Sequence, residues 1–385
     1  MKASISGLYI HIPFCPAKCG YCAFNSQPLP DEATLDRYLT ALETELVRQQ
    51  NFLAGARLKT IYFGGGTPSL AEPKRLRRIL DHVFRLIDPR SRPEEITLES
   101  NPVTLQADRL KGFRQAGINR LTIGVQSFDL AALTFMECAY RSPIATQGFE
   151  TARQAGFDNI GLDFIVGLPQ PHDEVYRADL KQATELAPNH LSVYLLTVDE
   201  PSHLFERVKR GEIVPLGDDR QAEIFLDCHD ILSRAGYDHY EVSSYARPGF
   251  RSRHNSLYWT GEYYLGLGAG AHSYLEIEGR PVRRANVTNA DRYMDLMARD
   301  QEPLDFTETL TPAIMARERI MLALRTKEGL APADFGSLED RLILSLTPHA
   351  RDGLIAWDGR RFRPTPAGML IADGVAERLW DLIAD

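Results

Sequence analysis

The chain has 385 residues, 44% of them apolar and 25% charged, with a formal net charge of −8. That is length enough for two or three domains, and the charge argues against a nucleic-acid partner, which calls for a basic face. No apolar run is long enough to form a bilayer-spanning helix, and Met1–Gly7 lacks the apolar centre of a signal peptide, so a cytoplasmic protein without an integral membrane segment is expected.

In chain order, strand-like segments fall at Leu8–Ile12, Thr60–Phe63, Ile96–Leu98, Arg120–Gly124, Asn159–Ile165 and His190–Leu195. Helical periodicity lies between them. Leu35, Leu39, Leu42 and Leu46 recur at helical spacing behind a capping Asp31, and further helices are expected at about 73–85, 104–116, 144–155 and 173–186. Ala116-Gly117 and Ala155-Gly156 read as helix stops. Six β–α repeats predict a parallel sheet with helices outside. Six units rather than eight suggest an open (β/α)6 partial TIM barrel. A helix is expected over 218–235, then one added strand over 237–245 and a polar loop over 246–253. A final pattern of helices with a hairpin turning at Asp358-Gly359 predicts a winged-helix-like α+β module. The expected division is 1–235 for the partial barrel, 236–304 for an extension of it and 305–385 for the module.

Three of the five cysteines fall in one short run, Cys15-Pro-Ala-Lys-Cys19-Gly-Tyr-Cys22, directly after the first strand. In a cytosolic chain such a run reads as a metal site before it reads as disulfides. Thiolates are soft ligands suited to iron–sulfur clusters and to zinc. Zinc wants a fourth ligand to close a tetrahedron, for which His11 is the nearby option. A cubane on three cysteines keeps one iron open for a small molecule. The other motifs gather at the C-terminal strand ends, where parallel β/α barrels carry their sites: Gly64-Gly65-Gly66-Thr67, Glu99 and Gln126, with Asp163 inside the fifth strand. Glycines allow close backbone approach to a ligand. Gly64–Thr67 taken alone reads equally as a tight turn, and Asp163 as a cap.

The C-x3-C-x2-C spacing resembles the radical S-adenosylmethionine (SAM) superfamily. Tyr9-Ile-His-Ile-Pro-Phe-Cys15, Gly64–Pro68, Gly124-Val-Gln126-Ser-Phe128 and Asp163–Pro169 narrow the likeness to the oxygen-independent coproporphyrinogen oxidase group. His254-Asn255-Ser-Leu-Tyr258-Trp259 and Gly268-Ala-Gly-Ala-His272-Ser273 narrow it to the haem-chaperone (HemW) branch. The resemblance implies a [4Fe–4S] cluster on Cys15, Cys19 and Cys22. It also implies SAM held by Tyr9, Tyr21, Gly65, Gly66, Thr67, Glu99, Gln126 and Asp163. Haem would be held by His254, Asn255, Tyr258 and Trp259, with His254 as the axial ligand expected and His272 as a second candidate. The partners implied are haem, target haemoproteins and a second copy of the chain in a homodimer. The competing reading is a radical enzyme, an oxidase or methyltransferase, that generates a 5′-deoxyadenosyl radical.

Three positions distinguish this chain. Phe24 stands where the oxidase carries a further cysteine, which favours haem handling. Cys138 and Tyr140 stand where the family commonly has Arg and His in a stretch like Leu-Gly-Arg-x-His. Arg141 is a substitute guanidinium by proximity alone. Cys138 reads either as a small buried apolar residue or as a fourth thiol near the cluster. Cys228 reads as core.

Overall fold

The computed structural model describes residues 5–140 and 142–383. Arg141 lies outside the described residues. One twelve-stranded sheet organises most of the chain. Its centre is six parallel strands in sequence order: β1 (Gly7–Ile12), β2 (Thr60–Gly65), β3 (Glu95–Ser100), β4 (Arg120–Gln126), β5 (Asn159–Val166) and β6 (His190–Leu195). Helices follow at α1 (Glu32–Arg48), α2 (Pro73–Leu86), α3 (Ala107–Ala116), α4 (Ser142–Gln154), α5 (Val175–Leu186) and α6 (Asp218–Arg234). Asp31 caps α1 by accepting the Thr34 N–H at 2.7 Å. Gly117, at φ 106°, ends α3 in the left-handed conformation. The segment 104–106 is not helical with α3; a separate 3₁₀ turn at Pro102–Thr104 precedes it, capped by Asn101.

The remaining strands extend both edges. The expected single strand at 237–245 is a hairpin, β7 (Asp238–Glu241) and β8 (Ser244–Ala246), with β8 antiparallel to β6. The Glu241 carboxylate accepts the Ser243 N–H and stabilises the turn. A short helix, α7 (Arg253–Thr260), begins at the last residue of the loop expected over 246–253. Ser252 caps it and Gly261, at φ 68°, stops it. Next come β9 (Tyr264–Leu267), parallel to β1, and the antiparallel β10 (His272–Ile277), β11 (Arg280–Asn286) and β12 (Leu304–Thr309). Because β12 pairs along β11 through Thr309, the sheet runs past the boundary expected at 304. The sheet is open, with β12 and β7 at its edges. Beyond Thr309 the chain builds a separate core from Ile320, Leu324, Leu342, Leu346, Phe362, Val375 and Leu379. It comprises α8 (Pro312–Leu324), α9 (Glu339–Arg351), the hairpin β13 (Ile355–Trp357) with β14 (Phe362–Pro364), and two short terminal helices broken at Ile371.

Strand alternation explains the interior. Leu8, Ile10, Leu121, Ile123, Ile160, Leu162 and Leu191 are buried under the outer helices. The opposite face carries Tyr9, His11, Tyr62, Glu99, Arg120, Thr122, Asp163, His190 and Ser192, and these point into the lumen. A polar lumen is a poor core and a good place for a ligand.

Candidate functional site

Cys15 ends a two-residue strand, Phe14–Cys15, that pairs in parallel with Gln27–Pro28. Inside the loop, Lys18 Nζ donates to the Phe24 and Ser26 carbonyls at 3.1 and 2.9 Å, and the Cys22 N–H donates to Cys19 O. Asn25 anchors it from outside, donating to the Ala269 and Thr288 carbonyls. The turn after β9 therefore holds the cysteine loop in place, which is the role of Gly268–Ala271. Phe24 points outward and is 72% exposed.

Cys15, Cys19 and Cys22 are unpaired and partly buried. Burial pushes the Cys15 thiol up, while hydrogen bonds from Thr67 and Ser26 pull it down. Ser26 Oγ also lies 3.9 Å from Cys22 Sγ. The zinc alternative loses its fourth ligand. His11 Nε2 is bonded to the Asn25 carbonyl at 2.9 Å, so it carries the proton, and Nδ1 accepts from Tyr9 Oη at 2.9 Å. Among the described residues, no three His, Cys, Asp or Glu side chains converge on one ion. A cubane gives each thiolate its own iron and asks for no such convergence.

The Gly-rich loop packs directly on the cysteine loop. The Gly66 N–H donates to Ile12 O and the Thr67 N–H to Phe14 O, at 2.9 and 2.7 Å. Gly65 has φ +113°, and a Cβ there would enter the His11 ring. A Cβ on Gly66 would lie 2.6 Å from the Phe14 carbonyl oxygen. Glycine is thus required at both positions.

Glu99 accepts from Tyr62 Oη at 2.7 Å and from the Gly65 N–H at 3.0 Å, fixing the Gly-rich loop to β3. Burial raises its pKa first of all, with those two hydrogen bonds opposing. Asp163 is pushed up to about 7, chiefly by burial, against a hydrogen bond from Ser192. Its Oδ1 is buried without a hydrogen-bond partner. An orphaned buried acceptor of this kind fits a cationic or hydroxylic ligand. Gln126 ends β4 at φ 59°, across a bulge in the β4–β5 register. That conformation is uncommon for a residue with a side chain, and bulges of this sort re-aim side chains beside sites. Two residues missed by the sequence reading hold the bulge. Tyr140 Oη lies 2.8 and 2.6 Å from the Gly124 and Val125 carbonyls. Asp179 on α5 accepts from Ser127 Oγ and from the Phe128 N–H at 2.6 and 2.8 Å. Arg120, also missed, was legible in the alternation Arg-x-Thr-x-Gly-x-Gln of β4; it lies buried beneath Asp163 and Glu95 in the electrostatics of the lumen.

Tyr21 packs against the apolar cluster that includes Leu133, Met136, Tyr140 and Leu204. Tyr9 lies deeper, between the cysteine end and the base of the barrel. The base is where the His254 motif is found. Glu95 accepts the Arg253 and His254 N–H groups, both at 3.0 Å, and seats α7 across the N-terminal strand ends. The His254 ring is 1% exposed, stacked at 4.9 Å on Tyr62, and bonded through Nδ1 to Thr60 Oγ1 and through Nε2 to Tyr258 Oη. Burial brings its pKa down to about 3. Both ring nitrogens are engaged, so the imidazole expected to ligate haem is turned inward here. Asn255 and Trp259 are partly exposed on the same helix, and His272 is exposed at the start of β10. The structure thus brings Cys15, Cys19, Cys22, Tyr21, Thr67, the glycines, Glu99, Gln126 and Asp163 to one end of the barrel, and sets the His254 motif at the other. A cleft of about 380 Å³ between α2 and α3 contains none of these residues.

The radical SAM superfamily model matches residues 9–182, and a model described as the HemN C-terminal domain matches residues 310–371. The chain is 36% identical over 372 residues to the heme chaperone HemW of Escherichia coli, covering 96% of this chain and 97% of that protein. It is 34% identical to the heme chaperone HemW of Bacillus subtilis, covering 88% of each. A mouse protein, radical S-adenosyl methionine domain-containing protein 1, mitochondrial, is 30% identical over 96% of this chain and 86% of its own length. Among solved structures, coproporphyrinogen III oxidase (HemN) from Escherichia coli superposes with a TM-score of 0.81 at 24% identity, covering 97% of this chain and 90% of that one. That likeness establishes the fold.

Proposed function

The chain belongs to the HemW family of radical SAM proteins, and from that premise we propose that it binds haem and passes it to target haemoproteins in the cytoplasm, using a [4Fe–4S] cluster and SAM as resident cofactors. The observation that carries this reading is family likeness over nearly the whole chain, C-terminal module included, together with Phe24 in place of the oxidase's additional cysteine.

Cys15, Cys19 and Cys22 would hold the cluster. When bound, it supplies an electron donor beside SAM. Around it, Thr67 and Ser26 offer hydrogen bonds to the thiolates, Asp163 offers one carboxylate oxygen without a hydrogen-bond partner, and the bulge at Gln126 turns an amide toward the same space. Tyr21 covers the loop from the side. Haem would dock on α7, where Trp259 offers an apolar ring face. In the closed arrangement His254 is spoken for by Thr60 and Tyr258, so ligation by His254 requires α7 to lift from the base. The exposure of His272 favours a second reading of the axial ligand, in which that imidazole meets haem without movement.

The test is a haem titration of anaerobically reconstituted protein. A saturable Soret shift that disappears in His254→Ala or in His272→Ala supports haem binding and chooses the ligand. No shift, coupled with brisk substrate-dependent release of 5′-deoxyadenosine from SAM, would establish the radical-enzyme reading instead.

A further inference from the structure

Strand β2 meets both ends of the barrel. At the base, Thr60 Oγ1 lies 2.7 Å from His254 Nδ1. Two residues on, the Tyr62 ring stacks on the His254 ring, with centroids 4.9 Å apart and planes at 26°. The Tyr62 hydroxyl serves the other end. It donates to Glu99 Oε1 at 2.7 Å, while Glu99 Oε2 accepts the Gly65 N–H at 3.0 Å. Gly64 leaves room for the aromatic rings: a Cβ there would lie 2.9 Å from Tyr62 Cε1 and 2.9 Å from Tyr9 Cε2. The Tyr9 ring in turn stacks on Tyr62 at 6.1 Å. His254, Tyr62, Glu99 and Gly65 thus form one unbroken series of contacts from α7 to the Gly-rich loop. Tyr62 is buried within that series. Phenylalanine would fill the same space; what tyrosine adds is the hydroxyl on Glu99.

We propose that Tyr62 is a positioning residue that holds Glu99 for SAM, and that, because His254 braces its ring, the protein binds SAM and haem antagonistically. The inference rests on the reading above in which Glu99 meets SAM and His254 ligates haem. A carboxylate with one oxygen on Tyr62 and the other on the Gly65 N–H is fixed in orientation, and such preorganisation favours binding. When α7 lifts and His254 turns to the haem iron, the Tyr62 ring loses its stacking partner and regains rotamer freedom. Ordering its hydroxyl on Glu99 then costs free energy, and SAM binds more weakly. Coupling between two sites is reciprocal, so SAM weakens haem by the same factor. SAM loading thereby promotes the release of haem toward its recipient.

The experiment uses the full-length protein after anaerobic reconstitution. Affinity for SAM is read by equilibrium dialysis with and without bound haem, and affinity for haem from the Soret band with and without saturating SAM. In the parent, each ligand is expected to weaken the other by about tenfold, a coupling of ordinary size. Tyr62→Phe keeps the ring and removes the hydroxyl. Without haem it is expected to bind SAM about tenfold more weakly than the parent does, and haem is expected to change that affinity by less than about twofold. Equal SAM affinities with and without haem in the parent overturn the proposal, and that measurement stands even if the variant folds poorly. A Tyr62→Phe protein with a lowered urea midpoint and the parent's full coupling also overturns it, because packing alone would then be the role of Tyr62. A parent that gives no Soret shift overturns it together with the haem reading, whereas a Soret shift without coupling overturns the antagonism alone.

Discussion

Burial holds the Asp163 carboxyl at about pH 7, so its charge changes across the neutral range. The ionised form is the one that attracts a sulfonium or ammonium cation. Affinity for SAM should therefore rise with pH, by about tenfold between pH 6 and 8 as the ionised fraction climbs. Isothermal titration across that range should show the slope in the parent and a flat, weaker response in Asp163→Asn. Gly66 gives a second residue-level test. The atom that an added Cβ would meet is the backbone carbonyl of Phe14, which cannot rotate away as a side chain would. Gly66→Ala should displace the cysteine loop and lower the iron bound per chain, while a surface change such as Lys74→Ala should not.

Helix α7 shows what an element can conceal from a sequence. Its eight residues, Arg-His-Asn-Ser-Leu-Tyr-Trp-Thr, were not assigned to a helix from the sequence, since His, Asn, Ser and Thr are weak helix formers. What makes it helical is tertiary: Ser252 and Glu95 cap its start, and His254 and Leu257 fill the barrel base against Gly7 and Thr60. By contrast, the six central strands were legible from their alternation, and α1 from Leu35, Leu39, Leu42 and Leu46 behind Asp31. The candidate site divides the same way. The cysteines, the glycines, Glu99 and Gln126 were visible as motifs at strand ends, and Asp163 within the fifth strand. Tyr140 and Asp179 were not, because they act through hydrogen bonds to a bulge whose shape exists only in the fold.

The buried His254 also sets a pH dependence. Its folded pKa, about 3, is below the unfolded value near 6.5. Between those values the unfolded chain binds a proton that the native chain does not, so stability falls as pH drops through this window. The urea midpoint should decline from pH 6.5 toward pH 4.5, and less steeply in His254→Phe. That variant should also lose about 1–3 kcal/mol at pH 7.5, since Thr60 and Tyr258 are left without their partner.

At the scale of the whole molecule, the C-terminal module has its own core and lies over α7 through α8. Ion pairs join it to the sheet: Arg283 with Glu318, Arg251 with Glu328 at 2.6 Å, and Lys327 with Asp238. Such partly exposed pairs are individually weak and screened by salt, which suits the proposal that haem docks on α7 beneath the module. Reversing two of them, with Glu318→Lys and Glu328→Lys, should speed haem uptake several-fold in stopped-flow absorbance at low ionic strength. Added salt should move the parent in the same direction. Iron content should stay unchanged, because the cysteine loop lies at the opposite end of the barrel. Among the described residues no helix is long and apolar enough to cross a membrane.

Transfer is therefore the measurement that bears most directly on the account. The anaerobically reconstituted, haem-loaded protein is mixed with the apo form of a haem enzyme, and the enzyme's activity is followed with excess apomyoglobin present to trap free haem. The account predicts that activity returns despite the trap. Activity that appears only when the trap is omitted would mean that haem travels through solution, and would contradict the chaperone reading.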